Sequence, residues 1–336
     1  MRQVELAAPG EVRVLGDAAV PEVPADGVLL RIGLAGICGS DVHAYHGRHP
    51  FIRLPVRPGH ELVATVSAVG SAVHGIAVGD RVVVEPSLVC GECRNCRSGR
   101  YNVCDRLLVI GCQAPGGMAD YLAVPAAKVV PVPDGLADEA AVLAEPLAVA
   151  VHAAHVGRIA AGEDVVILGA GTIGLLCLQV ARALGAGSVV VSDPSAERRA
   201  LALQLGADAV LDPGEAPLGA VLAGAADVVL ECVGVAPTVR DAVQVARKGA
   251  RIVLVGVFSG EVPVDVSLVQ DRELELLGTL MYTRADFAEA LDLLARGAVA
   301  VDTLITHRFP LEAAAEAYRV ADAGGTALKV ILEVGA

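Results

Sequence analysis

Residues 164–174 read DVVILGAGTIG, and the order of these residues decides the fold. The opening DVVIL is branched and apolar without polar alternation, the pattern of a strand covered on both faces. It runs into Gly169-Ala170-Gly171-Thr172-Ile173-Gly174, a G-x-G-x-x-G turn that opens a helix. Gly169 allows the tight turn, Gly171 lets the backbone approach a pyrophosphate, and Gly174 permits close packing, while the helix N-terminus supplies free amides and a positive dipole. In a chain with 37 glycines the hexapeptide alone is weak, and a strand-to-helix turn without a ligand is the plain alternative. The strand before it and the helix after it carry the nucleotide reading.

Further strands are expected at residues 188–193, 227–234, 251–257 and 274–280, with helices at residues 172–184 and 196–205. Strand alternating with helix makes a doubly wound parallel α/β sheet. Residues 1–130 instead show short β segments broken by Gly and Pro, such as GVLLRIGLAGI and ELVATVSAVG, which predict an all-β barrel or sandwich. The Ala- and Leu-rich LADEAAVLAEPLAVAVHAAHV predicts a helix between the two textures. A helix at DFAEALDLLARG and a strand near ALKVILEV close the chain.

Asp193 ends the strand after the glycine turn, 19 residues beyond Gly174. A carboxylate there accepts hydrogen bonds from the adenosine ribose hydroxyls and repels a 2′-phosphate, so NAD is expected in preference to NADP. Arg198 and Arg199 could fold back toward the ribose; their plainer reading is a solvated helix face.

Cys90, Cys93, Cys96 and Cys104 lie in CGECRNCRSGRYNVC, with two, two and seven residues between successive sulfurs. This spacing suits a closed tetrahedral Zn²⁺ site. A pair of disulfides is the alternative, and nothing in the chain looks secreted. Arg94, Arg97 and Arg100 are expected to offset the net charge of four thiolates on one Zn²⁺, with a basic patch as the alternative. Cys112, Cys177 and Cys232 lie in apolar surroundings and read as small buried hydrophobes.

Composition narrows the class further. With 26 Lys and Arg against 39 Asp and Glu, the net charge of −13 leaves no electrostatic footprint for nucleic acid or anionic lipid. The N-terminal MRQVELAAPGEVRV lacks a signal-peptide core, so a cytoplasmic protein is expected. The apolar run at residues 165–178 contains three glycines and is too short to cross a bilayer, so no membrane partner is expected. The 336 residues suffice for two domains.

A second, dispersed set of possible ligands consists of Cys38 in GICGSDVHAY, His60 and Glu61 in PGHELVA, and Glu145 in LAEPLAV. One thiolate, one imidazole and one carboxylate would hold Zn²⁺ with an open position, as a catalytic site requires. With C-G-S-D-V-H at residues 38–43, G-H-E at 59–61, the cysteine lobe, G-A-G-T-I-G and Asp193 followed by Arg198, the chain resembles the zinc-dependent medium-chain alcohol dehydrogenases over essentially its whole length. The Glu-Pro-Leu that begins at Glu145 is similar to the sorbitol and butanediol dehydrogenases, the polyol branch.

The resemblance implies a GroES-like β catalytic domain at residues 1–148 with a structural zinc lobe at 88–106. A Rossmann NAD-binding domain at 149–283 and a returning segment at 284–336 complete the expected organisation. It implies two Zn²⁺ per chain, one catalytic at Cys38, His60 and Glu61 or Glu145 and one structural at the four-cysteine lobe. Gly169, Gly171, Thr172, Ile173, Gly174, Asp193 and Arg198 would bind the cofactor. Ser40 is similar to the hydroxyl that begins the family's proton relay, and His43 to the imidazole that passes the proton to solvent. Asp41 reads as a helix cap. The expected activity is hydride transfer from a secondary alcohol, a polyol or vicinal diol, to NAD, giving a ketone. Tyr45, His49 and Arg284 are candidates for a second substrate hydroxyl, with packing as the alternative. An amino-alcohol or sugar-acid dehydrogenase and a catalytically silent nucleotide-binding protein are the competing readings. Relatives of this kind form homodimers or homotetramers.

Overall fold

Asp164–Leu168 stands at the centre of six parallel strands. Their spatial order is Ala209–Leu211, Ser188–Ser192, Asp164–Leu168, Ala226–Glu231, Ala246–Leu254 and Glu275–Gly278. Numbered along the chain this is 3-2-1-4-5-6, so the direction of winding reverses between Asp164–Leu168 and Ala226–Glu231. In doubly wound sheets a dinucleotide binds in the crevice at that reversal, beyond the carboxyl ends of the strands. The central strands are covered on both faces: Val165, Ile167, Val189, Val191, Val228 and Val229 are all buried, as the unbroken apolar runs require.

The structure is a computed structural model that describes residues 1–335. The parallel sheet belongs to one unit, comprising Pro146–Tyr282 and Ala298–Ala300. Ala209–Leu211 is the one strand of this sheet that the sequence reading lacks. It is a three-residue edge strand with no buried residue, too short to leave a pattern in the sequence. The expected strand over 227–234 stops at Glu231, because Cys232–Gly234 turns over the strand end, with Gly234 at φ +84°.

The second unit comprises Met1–Glu145, Thr283–Gly297 and the chain from Val301 onward. Its frame is a seven-stranded, mostly antiparallel sheet in the order Ile305–Pro310, Lys329–Glu333, Gly27–Ile37, Glu61–Val69, Arg81–Val84, Val129–Pro131, with Tyr121–Pro125 also paired to Gly27–Ile37. Gly27–Ile37 is 11 residues long and shares one side between two partners: residues 27–31 pair with Tyr121–Pro125 and residues 34–37 with Lys329–Glu333. Strands from residues 305–333 thereby join the sheet built by residues 27–131. Val28, Leu30, Ile32, Leu62, Val66, Val82, Met118, Tyr318, Val330 and Leu332 make its core. Among the described residues, no helix is long and apolar enough to cross a membrane.

Candidate active site

Strand pairing builds the dispersed cluster. Gly27–Ile37 and Glu61–Val69 are antiparallel neighbours with Gly36 opposite Glu61, so the exit of one strand meets the entrance of the other. Cys38 caps the helix Gly39–Tyr45 directly after the first strand, and His60 immediately precedes the second. One ligand atom each from Cys38, His60 and Glu61 comes within 4.8 Å of the others. His60 and Glu61 are buried, and Cys38 is half-buried.

Asp41 holds this arrangement from the helix. Its Oδ2 accepts from the Cys38 backbone N–H at 2.9 Å, closing a capping box, and its Oδ1 lies 3.9 Å from His60 Nδ1. Burial raises the Asp41 pKa. His60 Nδ1 is itself buried without a hydrogen-bond partner, an uncommon state for an imidazole nitrogen. Burial works to lower the His60 pKa, but the Asp41 charge and the Cys38 sulfur outweigh it and set it well above its ordinary value. That demand for positive charge is one a divalent cation answers as well as a proton, and the S, N, O donor set suits Zn²⁺.

Lys329 completes the cluster, and the sequence reading did not include it. Its ammonium donates to both Glu61 oxygens at 2.6 Å and to the Ile37 carbonyl at 3.2 Å, with 3% of its surface exposed. Lys329 lies on the strand flanking Gly27–Ile37 on one side and Glu61 on the strand flanking it on the other, so the pair forms across the middle strand. Gly36 leaves the room: a Cβ there would lie 1.9 Å from Glu61 Oε2. Burial opposes the Lys329 charge, yet Glu61 keeps its pKa above the ordinary value. A lysine alone inside the apolar ALKVILEV run was the available signal, since a buried ammonium requires a carboxylate.

Glu145 is buried, near the start of the helix Ala144–Val156, and its charge is felt at both Cys112 and Lys329. Cys112 packs against the hydrophobic core, and burial, ahead of its charged neighbours, pushes its thiol up to about 12. Ser40 and His43 lie one turn apart on Gly39–Tyr45, the serine half-buried and the histidine exposed. The other candidates for a substrate hydroxyl have structural occupations. Arg284 binds the buried Glu85 carboxylate at 2.9 Å and the Val129 and Ala127 carbonyls. His49 Nδ1 accepts from the Phe51 and Ile52 amides at 3.1 Å, and Tyr45 packs against Tyr318 with ring centroids 5.8 Å apart.

The four cysteines of the lobe converge within 4.8 Å. Cys90 and Cys96 sulfurs are 3.9 Å apart, Cys93 and Cys104 3.9 Å, and Cys90 and Cys104 3.5 Å. The edge of a tetrahedron with Zn–S bonds of about 2.3 Å is about 3.8 Å, so the group fits the ion. Backbone N–H groups of Cys93, Cys96, Cys90 and Arg106 point at sulfur from 3.3 to 3.4 Å. Such donors favour thiolate: the backbone around Glu92 and Cys93 lowers Cys90 to about 6. Cys96 is pushed up to about 12 by burial and by its sulfur neighbours, the burden a cation would relieve. Arg106 is the guanidinium that interacts with Cys90, and it also pairs with Glu92.

In the other unit, Gly169 adopts φ +98°, and a Cβ on it would meet Val233 at 2.6 Å. A Cβ on Gly174 would lie 1.9 Å from the Gly169 carbonyl. A Cβ on Gly171 would meet nothing within 4 Å, so the backbone there faces open space. Thr172 and Ile173 form the first turn of Thr172–Ala183. Asp193 is buried, its Oδ2 accepting from the Ala170 N–H and its Oδ1 from the Ser195 N–H, both at 2.8 Å. It therefore ties the glycine turn to the next strand and keeps lone pairs for further donors. Arg198 lies in the first turn of the helix Ala196–Gln204, its N–H donating to the capping Ser195 Oγ at 3.3 Å, whereas Arg199 pairs with Asp212 at 2.8 Å and with the Asp193 and Pro194 carbonyls.

The family model for the alcohol dehydrogenase GroES-like domain matches residues 24–134, and that for the zinc-binding dehydrogenase matches residues 172–296. The chain is 37% identical over 308 residues to L-galactonate-5-dehydrogenase of Escherichia coli, covering 88% of this chain and 89% of the relative. It is 35% identical over 344 residues to D-arabitol-phosphate dehydrogenase of Enterococcus avium, covering 99% and 97%. Among solved structures, a zinc-binding dehydrogenase from Sinorhizobium meliloti bound to NADP matches with TM-score 0.92 at 36% identity over 99% of both chains. An alcohol dehydrogenase from E. coli complexed with NADH matches with TM-score 0.94 at 31% identity, again over 99% of both.

This chain belongs to the zinc-binding alcohol dehydrogenase family with a GroES-like domain. It is an NAD(P)-dependent oxidoreductase acting on alcohols, and the reading as a catalytically silent protein falls.

Proposed function

We propose that the protein oxidises a secondary alcohol of the polyol or vicinal-diol type to a ketone, with NAD as preferred acceptor. The convergence of one ligand atom each from half-buried Cys38 and buried His60 and Glu61 is the observation that carries this reading. Zn²⁺ bound by Cys38, His60 and Glu61 or Glu145 would ease proton loss from the substrate hydroxyl, and the nicotinamide would take the hydride.

The chain's own groups do the rest. Lys329 holds the Glu61 carboxylate in place, Asp41 fixes the turn at Cys38, and Ser40 and His43 form a path from the half-buried interior of the helix to its exposed face. Gly169, Gly171, Thr172, Ile173 and Gly174 cradle the pyrophosphate, Asp193 accepts from the ribose, and Arg198 lies alongside. The engagement of Arg199 with Asp212 withholds it from a 2′-phosphate, which supports NAD over NADP. The four-cysteine lobe holds the structural zinc. In this reading residues 1–148 and 284–336 form the catalytic domain, 149–283 bind the cofactor, and the enzyme acts in the cytoplasm as a homodimer or homotetramer.

A second reading, oxidation of a sugar acid or sugar phosphate, is favoured by the relatives that act on L-galactonate and D-arabitol phosphate. NADH fluorescence over polyols, diols, hydroxy acids and amino alcohols tests both. Turnover of primary alkanols alone would defeat them, as would better use of NADP the cofactor assignment.

A further inference from the structure

Within the unit that holds Cys38 and His60, a cavity of about 550 Å³ lies between the loop around Phe51 to Arg57 and the loop around Cys112 to Pro115. The two loops are fastened together. The Gly116 N–H donates to the Arg57 carbonyl at 2.9 Å, and Gln113 bridges them, its Nε2 donating to the Phe51 carbonyl at 3.0 Å and its Oε1 accepting from the Val109 N–H at 2.9 Å. The cavity is therefore a built feature of two mutually bonded loops.

Its chemistry is polarised. Cys112 lines it, and the adjoining Gly111 packs on Gly59, the neighbour of His60, so closely that a Cβ on Gly111 would lie 2.7 Å from the Gly59 carbonyl carbon; this wall therefore adjoins the candidate metal ligands. Arg53 and Arg57 also line it and are exposed, and neither guanidinium has a hydrogen bond or ion pair among the described residues. Glu5 is the single acid of the lining and sits opposite Arg13 in its own strand pair. In a chain of net charge −13, two unpaired guanidiniums in one concavity oppose the overall field and create a local preference for anions. Guanidinium forks match carboxylate and phosphate oxygens bidentately.

We infer that Arg53 and Arg57 read an anionic group, a carboxylate or a phosphate monoester, on the far end of the substrate from the hydroxyl that reacts. The inference rests on the functional reading above and narrows it: the substrate is a charged polyhydroxy compound rather than a neutral polyol.

The test uses the zinc-loaded full-length enzyme with NAD and three matched sets: pentitols and hexitols, the corresponding aldonates, and the corresponding polyol monophosphates. One anionic set exceeds the neutral set at least tenfold in kcat/KM, and which set does so distinguishes carboxylate from phosphate. Arg53→Met combined with Arg57→Met raises KM for that set at least tenfold while kcat changes less than threefold, and the double Lys variant recovers most of the loss. Neutral polyols performing as well as both anionic sets, or an unmoved KM, overturns the inference while leaving the alcohol dehydrogenase reading intact.

A binding measurement separates the two failures. Gluconate and inorganic phosphate are titrated at constant ionic strength against wild type and the double Met variant. Should no alcohol be oxidised, the functional reading fails, yet anion binding lost in the variant still supports the cavity assignment. Equal anion binding by both proteins overturns it.

Discussion

The four-cysteine lobe and the Cys38–His60–Glu61 cluster are two ways of assembling metal-binding groups from one chain. The lobe is local: 15 consecutive residues bring four sulfurs together, and backbone amides of the same loop stabilise them. The second cluster is topological, because Cys38 and His60 meet only when two strands pair in one register, and Lys329 arrives from a third strand 268 residues after Glu61 in the chain. The first needs a loop; the second needs the finished sheet. Perturbing the lobe should therefore cost stability before it costs chemistry, and perturbing the buried cluster should do the reverse.

The largest effect is expected at the buried cluster. Cys38→Ser or His60→Ala removes a converging ligand atom, so kcat/KM should fall by roughly a thousandfold or more. Metal analysis should find only the lobe's ion remaining of the two groups. A variant that kept both ions and most of its rate would erase the contrast.

Lys329→Met comes next. It leaves Glu61, with no exposed surface, as a buried carboxylate without its counter-ion, which costs about 3–5 kcal/mol. Denaturant unfolding should recover much of that loss when Glu61→Gln is added, since the uncompensated charge is then gone. Wild-type stability in the single variant would mean that the pair is not what holds Glu61.

The same contrast explains how much could be read in the sequence. The lobe and the glycine turn were legible because each is written in contiguous residues whose spacing carries the geometry. Cys38, His60, Glu61 and Glu145 were legible only as scattered ligand types whose meeting depended on a family pattern. Lys329 showed only as a lysine alone in an apolar run, and neither its partner nor Gly36 was legible, because a cross-strand ion pair over a glycine has no signature until register is known. Arg284 was open to a polar role in the sequence, but the buried Glu85 carboxylate that claims it lies nearly 200 residues earlier. In the parallel sheet the long apolar strands declared themselves, while Ala209–Leu211, a short edge with no buried residue, did not.

Removing the lobe's zinc, by a chelator too weak for the buried cluster or by Cys93→Ser with Cys96→Ser, should be the milder perturbation. Metal binding that closes a loop contributes folding free energy, so a fall of roughly 5–10 °C in Tm is expected. Turnover per folded molecule should hold. A loss of rate without loss of Tm would show that the lobe acts on the chemistry after all.

The smallest expected effect is a pH dependence at the lobe's attachment. Tyr101, within the lobe segment, accepts from the Arg284 backbone N–H through its hydroxyl, and Lys128 lies 5.7 Å from its ring centroid. Burial, reinforced by the nearby Glu85 charge, pushes the Tyr101 phenol up to about 12 from an ordinary value of 10. The folded state thus favours the neutral phenol, and the unfolded chain ionises first. Stability from this group is fully present below pH 10 and is lost as pH rises from 10 through 12. Unfolding midpoints measured from pH 9 to 12 should fall less steeply for Tyr101→Phe than for wild type, although the variant starts lower because the Arg284 amide has lost its acceptor. Parallel curves would place the alkaline loss elsewhere and leave the lobe anchored by its sulfurs alone.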